Sequence, residues 1–237
     1  MTSQYPNKAH VLVALDCIIF GFDENELKLL LIKRGFEPEK GKWSLMGGFL
    51  RKDENLEDSA ERVLHQLTGL KEVYMEQLQV FGAINRDPAE RAVSVAYYAL
   101  INIHDHDKEL VNKFSAEWFP ISKIPNLIFD HNRMVETAIN HLRHKASHQP
   151  IGFELLPNKF TMPQLQKLYE AIYETPMDTR NFSKKLLSMN VLEKLPEKQK
   201  GHSRKGAFYY KFDPEKYQKF KNNGLSYNLA VKGPGTL

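Results

Sequence analysis

The chain has 237 residues, 42% hydrophobic and 26% charged, with a formal net charge of +4. That length suits one large domain or two smaller ones, and no apolar run reaches the length of a membrane-spanning helix, which excludes a helical membrane protein. The single cysteine, Cys17, can form no intramolecular disulfide, and MTSQYPNKAH has no basic region ahead of an apolar core, so a reducing, cytoplasmic setting is expected.

Residues 10–21 (HVLVALDCIIFG) read as a buried strand, in which Cys17 is a small hydrophobe. Leu27–Lys33 is its hairpin partner, and residues 35–42 form a loop. Trp43-Ser44-Leu45-Met46 leads extended chain into Gly47-Gly48. An acidic turn follows, then an amphipathic helix with Leu56, Ala60, Val63, Leu64 and Leu67 on its buried face and Gly69 as its C-terminal cap. Glu57, Asp58 and Glu61 fall on the solvent side, where acidic residues suit the N-terminal half of a helix. Strands are predicted near Glu76–Ile84, at Ala92–Ile103 and around Trp118-Phe119, with HDHDKE as a charged turn. Met134, Val135, Ala138, Ile139 and Leu142 give residues 131–145 a helical period. A mixed sheet between two helices, an α/β/α sandwich, is the expected architecture.

ASHQPIG lacks hydrophobic periodicity and reads as a linker, with FELLP as a short extended piece after it. Thr161 can cap a helix running to Tyr173, with Leu165, Leu168, Tyr169 and Ile172 inward. Asp178 can cap a second helix, whose Phe182, Leu186 and Met189 fall at i, i+4 and i+7. Val191–Leu195 and Ala207–Phe212 read as strands around the lysine-rich EKQKGHSRKG. Two helices and a hairpin in this order predict a winged helix-turn-helix, with a short helix in DPEKYQKFK after it. Three units are expected: residues 1–148, residues 149–226, and a flexible tail at 227–237. Charge divides the same way: residues 180–221 hold twelve Lys/Arg against four Asp/Glu, whereas residues 1–179 hold twenty against twenty-five. A basic C-terminal segment points to nucleic acid. In the second helix, Arg180 and Asn181 are candidate base readers and Ser183 faces outward; Lys184 and Lys185 of that helix, with Arg204 and Lys205 in the connection of the hairpin, suit phosphates. Phe182 shares the period of Leu186 and is read as core.

Gly48, Glu54, Arg62, Leu64, Gly69 and Leu70 are spaced as in the Nudix box, G-x5-E-x7-R-E-U-x-E-E-x-G-U, which this stretch resembles. The places of three glutamates hold Val63, Gln66 and Leu67. Magnesium-dependent pyrophosphate chemistry needs several carboxylate oxygens converging from one helix face, and two apolar side chains with a glutamine cannot supply them. Hydrolysis, a metal and a catalytic residue are therefore not expected.

The resemblance extends to NRDPAERAVSVAYYAL, LIFDH and FTMPQLQKLYEAIY…RNFSKKLL, and together these segments are similar to Nudix-related transcriptional regulators. In such proteins a Nudix-like effector domain is fused to a winged helix that binds DNA. SLMGGF and the eroded glutamates look most like the branch controlling L-arabinose use; another branch senses ADP-ribose and controls NAD metabolism. The resemblance implies a repressor-like homodimer on a double-stranded DNA operator, without a cofactor, released or recruited by a small molecule in the Nudix cleft. A pentose is the first expectation, ADP-ribose the alternative, and a surviving pyrophosphohydrolase the third reading. Positions lining the cleft would be Arg34, Trp43, Arg86, Asp87 and Asp130, with Trp43 as an aromatic platform. Relatives often carry Gly-Arg-Pro in the wing, where this chain has Ser203-Arg204-Lys205-Gly206.

Overall fold

The computed structural model describes residues 10–23, 25–69, 73–104, 116–199 and 206–222. Its centre is the strand β1 (Leu12–Phe22), paired in parallel along its whole length with β6 (Ala92–Asn102). Successive side chains of β1 point to opposite faces, and both faces are covered. Leu15, Cys17 and Ile19 pack with Ala60, Val63 and Leu64 of α1 (Leu56–Thr68). Ile18, Phe20 and Phe22 pack with Met134, Val135, Ala138 and Leu142 of α2 (His131–His148). Two-sided burial explains why this strand reads as a continuous apolar run. It also pushes the Cys17 thiol up to about 12, as suits a small core hydrophobe.

On its other edge β1 changes partner. Ile19–Phe22 pair with β2 (Leu27–Lys33), while Ala14–Cys17 pair with β4 (Met46–Phe49). β2 in turn carries β3 (Trp43–Ser44) and β7 (Ala116–Pro120), and β5 (Met75–Phe81) closes the far edge against β6. A fork therefore opens beside Asp16, where β2 leaves β1 and β4 joins it. The mixed sheet between two helices is the expected sandwich.

The box stretch is held at both ends. Asp58 accepts from the backbone N–H and side-chain amide of Asn55, and Gly69 takes the left-handed conformation at φ 75°, donating to the His65 carbonyl. Glu54 accepts from the Arg51 N–H at 2.8 Å and from Arg62 at 2.7 and 2.6 Å, while Arg62 also donates to the Phe49 carbonyl. The Glu54–Arg62 pair thus ties the loop after the double glycine to the middle of α1. Glu57, Asp58 and Glu61 are exposed, as expected.

Some boundaries differ from expectation. β5 stops at Phe81, because the Gly82 and Ala83 carbonyls turn to accept from Arg91. α2 runs on to His148, since buried Ala146 continues the stripe of Ala138 and Leu142, and Pro150 then stops it. The first three residues of the expected linker are thus the last turn of this helix. The rest of the junction is packed too: Ile151 is buried and donates its N–H to the Tyr169 hydroxyl at 3.0 Å. FELLP is not extended; Gly152 at φ 83° starts a 3-10 turn over Phe153–Leu155.

Thr161 and Gln164 form the capping box of α3 (Met162–Tyr173), and Asp178 caps α4 (Thr179–Ser188) by accepting from the Asn181 N–H at 2.8 Å. β8 (Phe160–Thr161), β10 (Ala207–Phe212) and β9 (Leu192–Gln199) make a second sheet, followed by α5 (Pro214–Asn222). β9 is longer than the predicted Val191–Leu195 because a bulge carries it past Pro196 while it stays paired with β10. This is the predicted winged helix arrangement. Its core is continuous with that of the sandwich: Leu155, Leu165, Leu168, Tyr169 and Phe182 belong to the cluster that contains Leu142. Arg143 of α2 donates to the Ile172 carbonyl, pairs with Glu174, and accepts from the Tyr173 hydroxyl through its own carbonyl. Most of HDHDKE, Leu70, Arg204, Lys205 and the tail at 227–237 lie outside the described residues. No helix among the described residues is long and apolar enough to cross a membrane.

Two stability effects are expected. Leu142→Ala empties fully buried space in the shared core and should cost about 2–5 kcal/mol in denaturant unfolding. Hydrogen bonds from Arg62 hold the Glu54 carboxyl down at about 2, against an ordinary 4.5. The folded value lies below the unfolded one, so the tie stabilises fully above about pH 4.5 and is lost as pH falls towards 2. Glu54→Gln should lower the melting temperature at neutral pH, with the gap to wild type closing below pH 4.5; a gap independent of pH would contradict this.

Candidate functional site

The fork beside Asp16 opens into a cavity of about 480 Å³, within the size range of small-molecule sites. β1 supplies Ala14 and Asp16; the end of β2 and the following turn supply Ile32, Lys33, Arg34 and Phe36. Gly47, Gly48 and Phe49 line it from β4, and Leu67 from α1. The double glycine is a matter of clearance. A Cβ on Gly47 would lie 2.3 Å from Asp16 Oδ1, and one on Gly48 would lie 2.9 Å from a Val63 methyl. Backbone can run this close to the strand and the helix only without side chains.

The inner end of the cavity holds a buried polar network. Ser94 donates its hydroxyl to Asp16 Oδ2 at 2.6 Å. Arg86 is almost fully buried and is gripped by Asp130 at 3.1 and 2.8 Å, with Asp16 Oδ2 3.5 Å from the same guanidinium. His131, the first residue of α2, accepts the Leu45 N–H on Nδ1 at 3.2 Å and places Nε2 3.7 Å from Asp16 Oδ1. Burial lowers its pKa, which favours the neutral ring. The mouth is different in kind. Arg34 stacks over Phe36 at 4.0 Å and over Phe129 at 5.2 Å from the ring centres, and donates Nε to the Phe36 carbonyl. Phe36 is 56% exposed, and Phe129 adopts φ 50°, an uncommon conformation for an aromatic residue. Exposed aromatic surface beside cations suits a planar, anionic ligand.

Arg34, Arg86 and Asp87, expected from the sequence, all line this cavity. Trp43 does not. It packs edge-to-face on Phe119 at 4.8 Å within the sandwich, so its platform role is corrected to a core one. Asp130 stands behind Arg86 and fixes it through a pairing that spans 44 positions of sequence. Asp16, Phe36, Phe129 and His131 were missed. Asp16 left a trace as the one carboxylate in an otherwise apolar strand, and Phe129 and His131 lie in LIFDH, a segment of the resemblance to which no role was given.

At the positions that are glutamates in the box pattern, Val63 is buried, Leu67 faces the cavity and Gln66 is exposed, accepting from Arg62. No group of three or more His, Cys, Asp or Glu side chains converges in metal-holding geometry among the described residues.

A second candidate surface lies on α4. Arg180, Asn181 and Lys184 are exposed, while Ser183 and Lys185 are half-buried. Phe182 is 2% exposed against Tyr169 and is core, as read. On the adjoining hairpin, Lys194 and Lys198 lie over Phe208 at 3.8 and 4.3 Å, extending the basic face along β9.

Residues 11–138 match the NUDIX domain, and residues 152–212 match the NrtR DNA-binding winged helix domain. Over 219 residues the chain is 32% identical to the ADPR responsive transcriptional repressor NtrR of Acinetobacter baylyi, covering 91% of this chain and 86% of that protein. The crystal structure of Shewanella oneidensis NrtR complexed with a 27mer DNA aligns with a TM-score of 0.79 at 28% identity, over 87% of this chain and 95% of the other. The NUDIX domain of the same protein, complexed with ADP ribose, aligns with a TM-score of 0.51 at 31% identity, over 59% of this chain and 94% of that one. A Nudix sandwich forked around a ligand-sized cavity and a winged helix sharing its core occur here in one polypeptide: the chain belongs to the Nudix-domain family, in the group carrying an NrtR-type DNA-binding winged helix domain.

Proposed function

We propose that this chain is a transcriptional repressor that binds a DNA operator through α4 and the β9–β10 hairpin and senses ADP-ribose in the cavity beside Asp16. The observation that carries the reading is the near-full-length likeness to an ADPR responsive repressor, with both halves matched in order. The cavity supports the same effector. Its mouth offers Arg34 between two phenylalanine rings, with Lys33 beside it, which suits a base and a diphosphate. A single pentose would fill only a small part of about 480 Å³ and has no flat face for the aromatic mouth. The arabinose branch, expected from SLMGGF, finds no support in these relatives, and Trp43 is not available as its platform. ADP-ribose therefore takes its place.

The eroded box supports binding without turnover, because Val63, Gln66 and Leu67 carry no carboxylate and Glu54 is engaged by Arg62. On DNA, Arg180 and Asn181 stand at the N-terminal end of α4, where bases are read, and Lys184, Lys185, Arg204 and Lys205 serve the phosphates. Two copies are expected per palindromic operator, in the compartment that holds the DNA.

Ligand bound only by the folded state raises its stability by about 2.7 kcal/mol at a hundredfold excess over Kd. ADP-ribose should thus raise the melting temperature and L-arabinose should not; a shift with arabinose alone would sink the effector reading. On DNA, Arg180→Ala should relax base preference at about 1–3 kcal/mol per lost contact. Lys184→Ala should weaken all sequences alike and flatten the salt dependence by about one phosphate. Equal loss and an unchanged salt slope for both variants would remove α4 from the interface.

A further inference from the structure

The two ends of the cavity carry opposite character. At the inner end the formal count is two carboxylates, Asp16 and Asp130, against one guanidinium, Arg86. Asp130 engages Arg86 bidentately, so Asp16 keeps only a long contact with it at 3.5 Å. Ser94 occupies Asp16 Oδ2, whereas Oδ1 has the imidazole Nε2 at 3.7 Å, beyond hydrogen-bond distance. Gly47 keeps the space over Oδ1 clear, since any side chain there would collide with it. Asp16 is 6% exposed and lines the cavity, and among the described residues only its Oδ2 accepts a side-chain hydrogen bond. A carboxylate withdrawn from water in this way favours hydrogen-bond donors and repels anions. Towards the mouth two cations, Lys33 and Arg34, outnumber one carboxylate, Asp87; Arg34 stacks on Phe36 and Phe129 and feels Asp87 first and Asp16 second.

We propose that Asp16 is the specificity-determining acceptor for the hydroxyls of the ligand's terminal ribose, which enters first and leaves its phosphates towards Lys33 and Arg34. This rests on the ADP-ribose reading above and goes beyond it by fixing the ligand's direction and the group that discriminates it. ADP has the base and diphosphate but no second sugar to offer Asp16. A terminal ribose that carries a phosphate would bring an anion against the carboxylate.

Titration calorimetry on the full chain tests this with three ligands: ADP-ribose, ADP, and ADP-ribose phosphorylated on its terminal ribose. Wild type should prefer ADP-ribose to each of the others by about tenfold to hundredfold, the worth of a hydrogen bond to a charged group. Asp16→Asn, similar in shape but uncharged and half donor, should weaken ADP-ribose by a similar factor and leave ADP unchanged. If wild type binds none of the three, the effector reading fails and takes this assignment with it. If Asp16→Asn binds ADP-ribose as wild type does, or weakens ADP in parallel, the assignment is overturned while the effector reading stands. Should the variant not fold, the wild-type comparison decides, since equal affinity for the phosphorylated ligand overturns the assignment without any mutation.

Discussion

The buried contact of Arg86 with Asp130 and Asp16 is what the rest of the site depends on. It joins three pieces of chain that sequence keeps far apart: the central strand, the turn after β5, and the residue ahead of α2. A guanidinium with 3% of its side chain exposed is tolerable only when carboxylates surround it, and breaking such a group by removing one partner costs about 3–5 kcal/mol. The network therefore fixes where α2 begins. That position in turn sets His131 against the Leu45 N–H, at the edge of the gap where β2 leaves β1 and β4 joins it.

The box stretch is best understood as a frame around this gap. Its glycines let the backbone pass Asp16 and Val63, its Glu54–Arg62 pair anchors the loop, and its cap ends the helix cleanly. Each of these is a matter of shape, and each survives without the carboxylates that would hold a metal. Val63 illustrates the exchange: where the pattern has a glutamate, a buried methyl packs under Gly48.

Local signals in the sequence carried far. The apolar run of β1, the stripe of α1, the caps at Thr161 and Asp178 and the basic C-terminal segment placed both halves of the fold and nearly every element. They do so because caps and periodicities act over a few residues. The site was less legible, since its bonds span the chain: Ser94 meets Asp16 across 78 positions, and Asp130 meets Arg86 across 44. Trp43 was misjudged because an aromatic residue at a strand end serves a platform or a core equally well until its neighbours are known. Phe129 lies in LIFDH, but its place at the cavity comes from a backbone angle that composition does not encode.

One helix, α2, begins at the cavity and ends against the other half of the molecule, where Arg143 grips the end of α3 and Ala146 sits in the shared core. Any event that displaces it at one end is felt by packed side chains at the other, because close-packed cores shift between arrangements and do not flex smoothly. Thermodynamic reciprocity then applies: if a bound effector changes affinity for the operator by some factor, the operator changes affinity for the effector by the same factor. Under the proposed function, a molecule seated on its operator would be a sensor of different threshold from one free in solution.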